Sequence, residues 1–353
     1  MRVVVVGASG NVGTAVLGAL AREPAVTSVV GVARRVPRAD GSSTVTYPHS
    51  TAEWVRVDLT DTADAVVRGL DRAFLGADAV IHLAWAPPSA RDSGQARRLN
   101  LDGSRAVADA VVRGGVPHLV FGSTSGVYSP GPAGGGLVHE DWPRRGVRTS
   151  SYSVQKVAVE RMLDDVAERH PRLVVTRVRP ALMLQREAGA ELGRYFLGPL
   201  GTRALRLAAR RAPEGALLPV VPALDGLRLQ VLHVDDAADA YRAVVVGRHP
   251  GPFNLAPEGW LTSADLADTL SGGRSVEVSP DAARAGLSIA SRLHLAPIDV
   301  GWFDMARADV VLDATRAREL LRWAPTHDPR DVLRETVEGV IAGTGAGSPP
   351  LLG

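Results

Sequence analysis

The chain has 353 residues, room for one large domain or two modest ones around a real core. Its 40 Lys+Arg and 38 Asp+Glu nearly cancel and are interleaved, so no concentrated basic face for nucleic acid or an anionic membrane is expected. With no cysteine, and nine histidines standing singly without ligand spacing, disulfides, thiol nucleophiles and metal sites are not expected.

Val3 to Val6 is a short, apolar, β-branched run, the pattern of a strand buried on both faces of a parallel sheet. It is too short for a signal peptide, and no apolar run approaches the ~18 residues of a membrane span, so a cytoplasmic protein is predicted. Gly7-Ala8-Ser9-Gly10-Asn11-Val12-Gly13 follows, then a helical pattern through Val16, Leu17 and Leu20. Strand, glycine turn and helix is the context of a dinucleotide fingerprint, in which backbone N–H groups meet a pyrophosphate at the helix N-terminus.

The second strand, Ser28 to Val32, runs into Ala33-Arg34-Arg35. An NAD site usually places an acid near here for the ribose 2′-hydroxyl. None is present, and arginine suits a 2′-phosphate, so NADP is predicted, with Arg34 the nearer contact, Arg35 beside it and NAD the alternative. A third strand, Trp54 to Leu59, carries Asp58 at its end, and a fourth, Asp78 to Ala84, brings Leu83 and Ala84 toward the cofactor. A long helix from Gln95 to Gly114 carries Asn100. A fifth strand, His118 to Gly122, leads into Ser123-Thr124-Ser125-Gly126-Val127-Tyr128. After a Gly/Pro-rich loop to Ser150 comes the helix of Tyr152, then a sixth strand, Leu173 to Val178, stopped by Arg179-Pro180. Strands and helices alternating at this rhythm predict an α/β, doubly wound parallel sheet.

Tyr152-Ser153-Val154-Gln155-Lys156 holds the one lysine of the chain. Four residues apart on a helix, Tyr152 and Lys156 share a face. A phenol with a pKa of ~10 trades protons poorly near neutrality, and a compact ammonium beside it favours the phenolate in a way a guanidinium fork does less well.

Past Pro180 the alternation lapses. The sequence predicts a helical stretch Ala190 to Arg211, a proline-rich turn Pro213 to Pro222, and a strand Leu229 to His233. An aspartate-capped helix Asp235 to Val246 and a strand Phe253 to Leu255 follow. Helices are predicted at Thr262–Leu270, Asp281–Leu293 and Thr315–Leu321. A dinucleotide-binding domain is thus expected over 1–180 and 229–256, and a smaller C-terminal substrate-binding domain over 181–228 and 257–341. Residues 342–353 are expected to form a flexible tail.

In order and spacing, Gly7/Gly10/Gly13, Asp58, Asn100, Ser123-Thr124, Val127-Tyr128, Tyr152/Lys156, Arg179-Pro180 and His233-Val234-Asp235-Asp236 resemble the extended short-chain dehydrogenase/reductase family, also called the NAD-dependent epimerase/dehydratase family. The likeness runs from Gly7 to about Pro325. It implies a Rossmann fold with Tyr152 as general acid or base, Lys156 on the nicotinamide ribose and Thr124 on the substrate oxygen. Ser9, Gly10, Asn11, Val12, Gly13, Leu59, Asn100 and Pro180 would join the cofactor contacts. Pairing as a homodimer through the two long helices is also implied.

Three departures narrow the reaction. Dehydratases of the family carry an Asp-Glu pair where this chain has Ser125-Gly126. Nucleotide-sugar binders usually carry an Asn three residues after the Arg of the R-P motif, here Leu182, and an Arg four residues before the His of the H-V-D-D motif, here Leu229 with Arg228 one place off. Leucines in place of polar contacts would leave a buried diphosphate without partners. Trp85, Ser125, Met183, Tyr195 and Phe196 are the candidate substrate contacts, and most are apolar. The reading is an NADP(H)-dependent oxidoreductase interconverting a carbonyl and a secondary alcohol on a non-nucleotide small molecule. The alternatives are an NAD(P)-dependent sugar epimerase and a non-catalytic dinucleotide-binding protein.

Overall fold

The computed structural model describes residues 1–37, 45–87, 93–292 and 300–345. Six strands alternate with helices in its first half: β1 Arg2–Val6, β2 Ser28–Ala33, β3 Glu53–Arg56, β4 Ala79–His82, β5 His118–Gly122 and β6 Val174–Pro180. Five shorter ones follow: β7 Leu182–Leu184, β8 Val221–Ala223, β9 Val231–His233, β10 Gly251–Leu255 and β11 Ser275–Glu277. Seven strands form one parallel sheet in the order β10-β6-β5-β4-β1-β2-β3. β1 to β3 run outward one way and β4 to β10 the other, so the order reverses between β1 and β4. At such a switch point the flanking helices diverge and leave a crevice at the strands' C-terminal ends.

Apolar side chains cover both faces of this sheet. On one face, Val3, Val5, Ile81, Val120 and Phe253 pack with Val16, Leu20, Tyr241 and Val244. On the other, Val4, Val6, Val80, Leu119 and Phe121 pack with Leu70, Val107, Val111 and Leu163. A smaller cluster around Leu184, Val231, Leu270 and Leu333 holds the later elements together. There β7 pairs with β9 and β8 with β11.

Several elements differ from the sequence expectation. β3 stops at Arg56, because Asp58 turns its carboxylate onto Thr60 N and Oγ1 at 2.9 and 2.7 Å. β6 is not stopped at Arg179-Pro180: Arg179 and Pro180 stay in register with Asn254 and Leu255, and a proline at a strand end forfeits little ladder bonding. The helix expected over Gln95–Gly114 is interrupted by a π turn at Arg98–Gly103. The stretch expected from Ala190 to Arg211 breaks at Gly198, φ +65°. His233, not an aspartate, caps Val234–Gly247, its Nδ1 accepting from Asp235 N at 3.1 Å. A helix Pro329–Ala342, absent from the expectation, crosses the later elements. Leu293 of the expected helix, and 346–353 of the expected tail, lie outside the described residues. No helix among them is long and apolar enough to cross a membrane.

Candidate active site

The chain leaves β1 at Gly7 with φ +91°, where a Cβ would stand 2.6 Å from Ala84 N. A Cβ on Gly13 would meet Gly7 O at 2.3 Å. Both positions therefore require glycine. Helix Asn11–Ala21 begins without a side-chain cap on its first N–H groups, so these donors are available to an anion. Ser9 and Gly10 open onto a cleft of about 360 Å³. Arg34, Arg35, Asp58, Leu59, Leu83, Ala84 and Trp85 line it as well. Burial raises the Asp58 carboxyl, but the Thr60 bonds and the nearby charges of Arg34 and Arg56 bring it below its ordinary value. A glycine cradle, free helix N–H groups and two lining arginines suit a phosphate-bearing dinucleotide. Val12 instead packs against the core, and Asn11 donates through Nδ2 to Glu191.

Tyr152 and Lys156 stand on helix Ser151–Arg169, whose first turn is capped by Ser150. Ser153, between them, donates to Gly126 O at 2.6 Å and accepts from Val147 N at 2.8 Å, tying the helix to the loop after β5. Lys156 Nζ is buried, donates to Gly122 O at 2.6 Å and lies 3.8 Å over the Trp85 ring. Burial pushes this ammonium down to about 7, opposed by the charge of Glu160 one turn on. Burial also raises the Tyr152 phenol, and a hydrogen bond with Thr124 works the other way. The expected lowering of the phenol by the lysine is not what sets its state here. Nζ sits 5.9 Å from the Tyr152 ring centre, and desolvation outweighs it.

Behind the pair lies a buried polar network. Glu160 is bound by Arg179 Nε and Nη2 at 2.9 and 2.7 Å, by Ser123 Oγ at 2.5 Å and by Arg144 at 3.0 Å. Arg179 also donates to Tyr128 Oη at 2.8 Å, and Tyr128 donates to Asn254 at 2.6 Å. Burial raises Glu160, but these arginines, led by Arg179, hold it below the usual carboxylate value. Asn100, fully buried in the π turn, accepts from Ala86 N at 2.9 Å and donates to Ala86 O and Gln155 Oε1, each at 2.8 Å. It thus braces the Trp85–Ala86 segment against the Tyr152 helix.

Of the expected substrate contacts, Trp85 and Tyr195 line the cleft and Ser125 follows Thr124 directly. Met183 does not line it: in register with Leu232 in the β7–β9 pair, it packs against the main core. Pro180, opposite Leu255, is likewise not among the lining residues. Arg228 is taken up by Asp309, with Nε 2.7 Å from Oδ1. Sequence reading missed Glu191, Arg194 and Thr60, which also line the cleft, and Trp302, whose ring lies 4.9 Å from that of Tyr152. Glu160, also missed, was the one with a local signal, standing one turn past Lys156. The histidines are not all single in space: His233 and His327 stack at 4.0 Å, already engaged by Glu335 and Asp236.

Residues 3–256 match the NAD dependent epimerase/dehydratase family. The chain is 29% identical to a UDP-glucose 4-epimerase of Azospirillum brasilense, over 94% of this chain and 89% of that one. It is 27% identical to a 3-diazoavenalumate denitrifying reductase of a Streptomyces species, over 93% and 97%. The crystal structure of the Thermus thermophilus UDP-glucose 4-epimerase in complex with NAD superposes with a TM-score of 0.65 at 20% identity, covering 97% of this chain and 99% of that one. A parallel seven-stranded sheet, a glycine turn at its switch point and a Tyr-Lys helix beside the resulting cleft accompany a match over the whole first two thirds of the sequence; this chain belongs to the NAD-dependent epimerase/dehydratase family.

Proposed function

We propose that the protein is an NADP(H)-dependent oxidoreductase that interconverts a carbonyl and a secondary alcohol on a non-nucleotide small molecule. The observation that carries this reading is the gathering of Tyr152, hydrogen-bonded to Thr124, and of Lys156 around Trp85, a residue that lines the cleft. When bound, the dinucleotide supplies or takes the hydride at the substrate carbon. The chain's own residues supply position and the proton. The glycine turn and the free N–H groups of helix Asn11–Ala21 would hold the phosphates. Arg34 and Arg35 would take the adenosine 2′-phosphate, Asp58 the adenine, and Lys156 the nicotinamide ribose hydroxyls. Tyr152, kept protonated by burial, donates to the substrate oxygen in the reduction direction, and Thr124 steadies that oxygen.

Two features support a substrate without a diphosphate. Leu182 and Leu229 replace polar contacts, and Arg228 is committed to Asp309. The similarity to UDP-glucose 4-epimerases favours a second reading, a sugar epimerase that oxidises and re-reduces one carbon without net use of cofactor. Pairing through helices Ser104–Arg113 and Ser151–Arg169 belongs to either reading.

The first test is a fluorescence titration with NADPH and NADH. The reading expects NADPH to bind at least about tenfold tighter, ~1.4 kcal/mol. Equal or reversed preference would remove the 2′-phosphate from Arg34. Net NADPH consumption with a carbonyl substrate, abolished in Tyr152→Phe while NADPH binding survives, separates reductase from epimerase and tests the proton donor. Turnover surviving in Tyr152→Phe would overturn the tyrosine's role.

A further inference from the structure

Aromatic residues make up 5% of the chain, yet several gather around Tyr152. The Trp302 ring lies 4.9 Å from the Tyr152 ring at 31°, and Phe196 meets Trp302 edge-on at 5.1 Å. Trp85 meets Tyr152 edge-on at 6.1 Å. These rings come from four separate segments: the loop after β4, the Tyr152 helix, the turn Gly193–Leu197 and helix Val300–Ala306.

Helix Val300–Ala306 is seated by backbone fit. A Cβ on Gly301 would stand 2.3 Å from Thr149 O, Asp304 accepts from Thr149 Oγ1 at 2.8 Å, and a Cβ on Gly126 would stand 2.7 Å from Met305 Sδ. Trp302 is therefore fixed relative to the tyrosine hydroxyl and Thr124. A second, independent observation concerns Trp85. Its Nε1 is buried and has no hydrogen-bond partner among the described residues, although the residue lines the cleft. A buried donor left unpaired is destabilising, and a ligand oxygen reaching it would remove that penalty. Aromatic walls carrying a few placed polar groups are how binding sites select planar ligands.

We infer that the substrate of this site is a planar aryl carbonyl compound, an aryl aldehyde or aryl ketone, whose ring packs among Trp85, Phe196 and Trp302. This rests on the carbonyl-oxidoreductase reading above. In the reduction the carbonyl carbon receives the hydride of the reduced nicotinamide, the C=O π pair moves to oxygen, and that oxygen takes the Tyr152 proton. The products are the aryl carbinol and the oxidised dinucleotide. Tyr152 regains its proton from solvent.

The test compares benzaldehyde with cyclohexanecarboxaldehyde, which share a formyl group and a six-membered ring and differ in planarity and π density. With NADPH, kcat/KM for the aryl probe is expected to exceed that for the cyclohexyl probe by at least about tenfold, ~1.4 kcal/mol. In Trp302→Leu the ratio should fall to within about twofold of unity, and in Trp302→Phe it should stay above about fivefold. Reduction of both probes at equal efficiency overturns the aryl assignment and leaves the reductase reading standing. If neither probe is reduced, calorimetric binding of benzyl alcohol against cyclohexylmethanol to the NADP-loaded protein decides the aryl assignment. Equal affinities overturn it. An aryl preference there supports it, and the missing turnover counts against the reductase reading alone.

Discussion

At the scale of single residues, Lys156 carries the largest consequence. Burial lowers its folded-state pKa from 10.5 to about 7, with Glu160 opposing. Below about pH 7 the ammonium is charged in folded and unfolded chains alike, and the folded state bears the full burial cost. Between about 7 and 10.5 the unfolded chain holds more protons, so stability rises with pH. Replacing the lysine by an unbranched apolar side chain removes that cost. Lys156→Met should therefore gain on the order of 1–2 kcal/mol near ~pH 6, less near ~pH 10, while losing turnover. Urea unfolding of both proteins at the two pH values checks this, and a pH-independent difference would mean that the ammonium is not disfavoured by its site. The solitary lysine and its tyrosine were legible in the sequence, because helix periodicity alone places them on one face. That Gly122 O and the Trp85 ring would hold the lysine was not legible, since both lie on other strands' ends.

At the scale of elements, the glycine turn shows why spacing carried so much. Gly7 and Gly13 are in mutual contact, and each lacks room for a methyl group. Gly10 differs: its Cβ would stand 3.4 Å from Gly7 O. Gly13→Ala should thus cost at least ~2 kcal/mol of stability and abolish dinucleotide binding, whereas Gly10→Ala should fold with near-native stability. Thermal unfolding and NADPH titration of the two variants separate these effects; equal destabilisation would show that the turn relaxes as a unit. The elements that sequence reading misplaced share a cause. Arg179-Pro180 reads locally as a strand stop, but pairing with Asn254-Leu255 and the buried Glu160 carboxylate keep β6 going. The long helix expected through Asn100 gains a π turn that turns the side chain onto Ala86 and Gln155, and hydrophobic periodicity does not register one extra residue.

At the scale of the whole molecule, helix Pro329–Ala342 backs the segment that carries Glu191, a residue lining the cleft. A Cβ on Gly189 would meet Gly339 C at 2.1 Å, and one on Gly339 would meet Arg186 O at 2.2 Å. The two segments touch backbone to backbone, and the 186–192 segment carries Glu191, which reaches Asn11 at the glycine turn. Gly339→Val should push that segment off its seat, lowering stability by on the order of 2–3 kcal/mol and weakening NADPH binding several-fold, although Gly339 is not among the lining residues. Unchanged NADPH affinity in a destabilised Gly339→Val protein would uncouple the helix from the cleft.

The sequence by itself determined the parallel α/β sheet, the glycine cradle, the arginines that follow β2 and the Tyr-Lys pair. Each depends on residues close in the chain, where strand and helix periods and turn geometry act directly. Only the tertiary structure decided what surrounds them. Trp302 lies 150 residues beyond Tyr152 and reaches it because a glycine lets helix Val300–Ala306 settle against Thr149. Met183, expected at the substrate, is drawn into the core by the β7–β9 pairing, and Arg228 is neutralised by Asp309. Packing between distant segments carries no local period, so those contacts exist only once the chain has folded.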